Sequence, residues 1–149
     1  MKQFHSVKVR VFIHWKEDAA AIEDGLLLLF PFNLQNEKIP LAKTSASTFE
    51  NRTVDILEIV LTKERHIKPL LSYIREKLSD ADIALLLDQL PTRIDEEQNF
   101  FFRLAKDKVL DGELVITEDG NCYHFTCHVA TYPKNSSAAQ AVVRQFLLA

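Results

Sequence analysis

The chain has 149 residues, 47% hydrophobic and 26% charged, with a formal net charge of −3 and a pI near 5.9. That length suits one domain able to bury its own core, and the composition excludes a disordered or collagen-like chain. The acidic balance excludes a protein coated in positive charge, so any nucleic-acid partner must be met by a local patch.

Phe4 to Trp15 alternates strictly, with Val7, Val9, Val11, Ile13 and Trp15 on one face and Lys8 and Arg10 on the other, which predicts a half-buried strand. Asp18 is placed to cap a helix carrying Ile22, Leu26, Leu29 and Phe30, ended by Pro31. A loop through 33–38 leads to a weaker strand near 41–48 and a stronger one over 54–61, joined by a turn at Asn51–Arg52. Ile67, Leu70, Leu71, Ile74 and Leu78 then recur at helical spacing, with Pro69 expected in the first turn. Ser79–Asp82 resembles a capping box for a short helix burying Ile83, Leu86, Leu87 and Leu90 and closed by Pro91.

After a polar stretch, a strand is expected over 100–104, then a helical turn over 105–110 stopped by Gly112, and a strand over 113–117. Asp119–Gly120 is a hairpin signal that would pair this last strand with one over 122–131. Ser136 or Ser137 is expected to cap a final helix whose Val142, Val143, Phe146 and Leu147 face inward. Strands and helices do not alternate regularly, so the expected fold class is α+β: one antiparallel sheet with helices mainly on one face, in a single domain spanning 1–149. The longest apolar run, residues 26–30, is too short for a bilayer span, and the N-terminus has no signal pattern. Cysteine usage agrees: Cys122 and Cys127 are five apart in one strand and point to opposite faces, so a cytoplasmic location with no membrane partner is expected.

The three glycines form no phosphate-cradling loop, and no Gly-x-Ser-x-Gly elbow is present, so catalytic residues and nucleotide cofactors are not expected. Alternation puts Cys122, His124 and His128 on one face and Cys127 on the other, with His124 and His128 about 13 Å apart at ~3.3 Å per residue, too far to share zinc. Asp80 with Asp82, and Asp95 with Glu96 and Glu97, are acid clusters of the kind that could hold Mg²⁺ in a hydrolase, though helix starts and a solvated turn explain them better. Phe100, Phe101 and Phe102 are read as core rather than as stacking platforms. The basic residues Arg93, Arg103, Lys106 and Lys108 fall within 16 residues and form the candidate phosphate-binding patch, with Arg52 as a further member.

The ordered motifs Arg93–Ile94–Asp95–Glu96, Phe102–Lys106, Gly112–Glu113–Leu114 and Tyr132–Pro133, with Ile13–His14 and Glu17–Asp18 near the start, resemble an archaeal RNA-binding family described as predicted exosome-associated. Two departures stand out: Thr48–Phe49–Glu50–Asn51 replaces a His-Tyr-Gly-Asn turn, and Ala105 replaces an acid. The resemblance implies a fold similar to the large-subunit ribosomal protein that binds 5S RNA. It also implies RNA as partner, its class unspecified. The leading expectation is a non-enzymatic RNA-binding protein. The alternative is an adaptor subunit of an RNA-processing complex, or a homodimer, with little RNA affinity of its own.

Overall fold

In a computed structural model describing residues 2–149, five antiparallel strands form one open sheet in the order β2-β3-β1-β5-β4. The strands are β1 (Phe4–His14), β2 (Ala42–Ser47), β3 (Thr53–Leu61), β4 (Asn99–Ala105) and β5 (Cys122–Val129). Six helices accompany them: α1 (Ala19–Leu28), α2 (Glu64–Lys77), α3 (Asp80–Asp88), α4 (Leu90–Arg93), α5 (Lys106–Leu110) and α6 (Ser136–Leu148). The fold is α+β, as the element pattern implies.

Alternation along each strand decides which sheet face is dry. Val7, Val9, Val11 and Ile13 of β1 join Leu57, Ile59 and Leu61 of β3, Phe100, Phe102 and Leu104 of β4, and Tyr123, Phe125, Cys127 and Val129 of β5 in one buried layer. Phe102 and Phe125 stack at 4.6 Å between centroids, and Phe4 meets Phe146 of α6 edge-on at 5.7 Å. The helices lie over this layer. Each fully buried Phe in it contributes enough that truncation to Ala costs about 3–5 kcal/mol.

Local signals read from sequence recur as hydrogen bonds. The Asp18 carboxylate accepts from Ala21 N–H at 3.2 Å, and Ser79 Oγ accepts from Asp82 N–H at 3.1 Å. Asn51 takes a positive φ of 58° in the β2–β3 turn, and Gly112 a φ of 82° just after α5, a conformation glycine adopts without strain.

Four expectations are corrected. Pro69 is the sixth residue of α2, beyond its first turn; the carbonyl it leaves unpaired belongs to Arg65, on the exposed face where water can satisfy it. Pro91 does not end the helical region but stands in the first turn of α4, as its second residue, where its missing N–H is not needed. The last helix is capped by Asn135, whose side chain accepts from Ala138 N–H at 2.8 Å, rather than by either serine.

The fourth correction concerns the Asp119–Gly120 turn. It does not make a hairpin of 113–117 with β5. Residues 113–117 form no full strand; they lie along the outer edge of β4, through Ala105 N–H to Val115 O at 2.9 Å, Thr117 N–H to Arg103 O at 3.0 Å and a bridge between Leu104 and Ile116. β4 itself takes the place beside β5, because its Phe100, Phe102 and Leu104 extend the buried layer that β5 began.

Candidate nucleic-acid interface

The opposite sheet face carries no helix layer comparable to the one over Val7 and Phe125, and apart from the buried Cys122 at the end of β5 its side chains are half-buried or exposed. Strand register sorts them into rows. One row runs the full width of the sheet: Ala42, Glu58, Arg10, His124 and Arg103. Beside it lie Val60, Lys8, Thr126 and Phe101, and on its other flank Thr44, Ile56 and Phe12. Further out are His14 beside Val54, and Ser6, His128 and Asn99. Basic and aromatic groups are thus interleaved on an open sheet, with Glu58 the one carboxylate in these rows.

The charges on this face are held in place. Arg10 is tied to Glu58 at 2.8 and 2.9 Å, which neutralises one carboxylate and fixes the guanidinium at the centre of the sheet. Arg103 donates from Nη1 to the Glu118 carbonyl at 3.0 Å. Lys8 takes part in none of the ion pairs among the described residues. The Phe101 and His124 rings lie 5.7 Å apart. Burial, then the neighbouring Arg103 and Arg10, pushes the His124 imidazole below its ordinary 6.5, so it is neutral at pH 7 and offers a ring and a hydrogen bond rather than charge.

Of the cations expected from sequence, Arg93 and Arg103 come together and the others do not. Arg93 is buried, donating to Gln89 Oε1 at 2.8 Å and Phe101 O at 3.4 Å and ion-paired to Glu118. Lys106 is also buried: its ammonium reaches Phe12 O at 2.7 Å, where the β1–β5 ladder runs out, and Glu17 at 3.2 Å. Burial alone would raise the Glu17 pKa, but the His14 N–H and the Lys106 ammonium outweigh it and hold the carboxyl below its ordinary range. Lys108 is exposed on α5. Arg52 sits at the β2–β3 turn, paired with Glu50 at 3.2 Å and stacked 4.3 Å from the Trp15 ring centroid, three strands from Arg103 and on the order of 20 Å away.

Lys8, Arg10, Phe12 and the outward orientation of Phe101 were the unrecognised members of the surface. Their signal was present in the strand alternation, which puts Lys8 and Arg10 opposite the valines of β1 and His124 opposite Phe125 of β5; what was missing was the pairing that sets those strands side by side.

The acidic clusters are absorbed by structure. Asp95 accepts from the N–H groups of Glu97 and Asn99, both at 2.9 Å, and Asp82 accepts from Ile116 N–H at 3.0 Å. Among the described residues no three His, Cys, Asp or Glu side chains are grouped to hold a metal ion. Among them also, no helix is long and apolar enough to cross a membrane.

Fold and surface together define an antiparallel α+β protein with one sheet face covered by helices and the other open, carrying Lys8, Arg10 and Arg103 together with Phe12 and Phe101. A family model described as RNA binding matches residues 6–129, and the chain belongs to that family. It is 25% identical over 145 residues to an RNA-binding protein of Pyrococcus abyssi, across 97% of this chain and 94% of the other. Among solved structures, an Archaeoglobus fulgidus protein assigned to the DUF54 family superposes with a TM-score of 0.85 at 26% identity, covering 96% of this chain and 99% of that one. A DUF54 protein of Methanothermobacter thermautotrophicus shares the fold, with a TM-score of 0.79 at 22% identity over 98% and 99% of the two chains. Family and relative alike are named for RNA binding.

Proposed function

We propose that this protein binds single-stranded or locally unpaired RNA across its open sheet face, without catalysing a reaction. The observation that carries this reading is the cross-sheet row centred on Arg10, His124 and Arg103, flanked by Lys8, Phe101 and Phe12. Lys8, Arg10 and Arg103 supply phosphate contacts, and Phe12 and Phe101 supply faces on which splayed bases stack. Of the patch expected from sequence, Arg103 is central and Arg52, with Trp15, stands at the β2–β3 turn, whereas Lys108 is exposed on α5, on the helix side, and reaches only an RNA strand that wraps past the sheet edge. Lys106 acts from beneath by tying Glu17 to β1, and Arg93 anchors α4 to β4 while lining the β4 end of the surface beside Arg103. The 5S-RNA-binding ribosomal fold implied by the sequence motifs belongs to the same proposal.

The test is binding of single-stranded RNA, structured RNA and duplex DNA at two salt concentrations, by wild type and by Lys8→Gln/Arg10→Gln/Arg103→Gln. RNA-preferring affinity that falls at least about tenfold in the triple variant, with the salt slope reduced by roughly two to three, supports the reading. Unchanged affinity in a folded triple variant sinks it.

A second reading, an adaptor or homodimer within an RNA-processing assembly such as the exosome, is favoured by the β2 edge. All six β2 residues are exposed, and Phe49 at the adjoining turn is 98% exposed. An open strand edge is a template for another chain. Sedimentation across a concentration series, and co-purification that survives nuclease, would favour this reading over direct RNA binding.

A further inference from the structure

Between α4, β4 and the 117–119 segment lies a cavity of about 400 Å³ lined by Gln89, Arg93, Phe101, Arg103, Glu118 and His124. Its ion pair is lopsided. The Arg93 side chain is only 9% exposed and is held by Gln89 Oε1 and Phe101 O, whereas the Glu118 side chain that neutralises it is 73% exposed. Arg103 approaches from the other side and grips the Glu118 carbonyl. A buried guanidinium needs an anion, but nothing in this geometry requires that anion to be Glu118. An incoming anion replaces the carboxylate without leaving Arg93 unpaired, and the released carboxylate already stands mostly in water.

We infer that this cavity takes the terminal phosphomonoester of an RNA strand, with Glu118 as a displaceable stand-in for the phosphate. The inference rests on the RNA-binding reading and names the strand feature that the face would read at its β4 end. Two converging guanidiniums suit a terminal phosphate, which carries ~1.5–2 negative charges at pH 7, better than the single charge of an internal phosphodiester. The Phe101 ring beside His124 gives the terminal base a stacking surface next to the phosphate. The cavity volume is in the range of small-ligand sites. A 5′-phosphate and a 3′-phosphate share this chemistry, and the experiment separates them.

The test measures binding of the full chain to one single-stranded RNA octamer carrying a 5′-phosphate, a 3′-phosphate or hydroxyls at both ends. One phosphate-ended form is expected to bind about tenfold tighter than the hydroxyl form, equivalent to ~1.4 kcal/mol. Glu118→Gln should enlarge that ratio, Arg103→Gln should bring it toward one, and Lys8→Gln should weaken all three forms alike. RNA bound without end preference by both wild type and Glu118→Gln overturns the phosphate pocket and leaves the sheet-face reading standing. If no octamer binds, the sheet-face reading fails, and the pocket is then decided by titrating adenosine 5′-monophosphate and 3′-monophosphate against adenosine by NMR. Phosphate-dependent shifts at Arg103 and Glu118 uphold the pocket; shifts identical to those with adenosine overturn it.

Discussion

Gly25 shows how one residue sets a helix-to-sheet distance. A Cβ there would stand 2.2 Å from Tyr123 Oη, a hydroxyl that is itself buried and donates to Ile22 O at 2.8 Å. Backbone conformation is not the constraint; the close approach of α1 to β5 is. Gly25→Ala should therefore lose about 1–3 kcal/mol, read as a lower urea midpoint, because it overpacks the site or expels the Tyr123 hydroxyl from its bond. Burial also pushes the Tyr123 hydroxyl above its ordinary pKa of 10.0, so Tyr123 remains a neutral donor through the physiological range.

The Glu17–Lys106 pair makes a prediction of sign. Because Glu17 has a lower pKa in the folded protein than its ordinary 4.5, its stabilising contribution is fully present above that value and disappears as pH falls through the folded pKa. Glu17→Gln should remove that part of the acid dependence, giving a shallower fall of stability with pH below 4.5 in denaturant titrations. Lys106→Met should make the same slope shallower without abolishing it, because the His14 N–H still favours the ionised carboxylate, and it removes the hydrogen bond to Phe12 O.

Among elements, the 113–117 segment and α3 are tied more closely than their separation in sequence suggests. Asp82 stands at the third position of α3, where a capping-box glutamate would turn back on its own helix; here its carboxylate accepts from Ile116 N–H instead. The segment is thereby pinned between α3 and the β4 edge, with Leu114 and Ile116 buried. Asp82→Ala should cost about 1–2 kcal/mol and speed hydrogen exchange at the Ile116 amide ahead of the β1–β5 amides. The β2–β3 hairpin behaves oppositely. Phe49 touches little, so Phe49→Ser should stay within about 0.5 kcal/mol of wild type, measured by thermal unfolding.

At the scale of the whole molecule, a net charge of −3 coexists with a sheet face on which Lys8, Arg10 and Arg103 outnumber Glu58. Charges beyond a Debye length of about 10 Å at 0.1 M salt are largely screened, so a local face governs contact with phosphate while the global charge slows approach at low salt. Binding should accordingly be salt-sensitive, with a log–log slope of only about −2 to −3 on single strands if three to four phosphates are met.

What lay in the sequence was the local content of the fold. Alternation in β1, β3 and β5, helical spacing in α1, α2 and α6, and the Asp18 and Ser79 caps are written in neighbouring residues, because those preferences act over a few positions. The family resemblance was also legible, in the order of short motifs. Only tertiary structure decided which strands adjoin. Burial of Phe100, Phe102 and Leu104 put β4 beside β5 and left 113–117 at the edge, against the Asp119–Gly120 hairpin signal. The same pairing brought Arg10, His124 and Arg103 into one row, and drew Arg93 and Lys106 inward to buried partners. Convergence of this kind depends on contacts between residues up to about a hundred positions apart, and no local pattern encodes it.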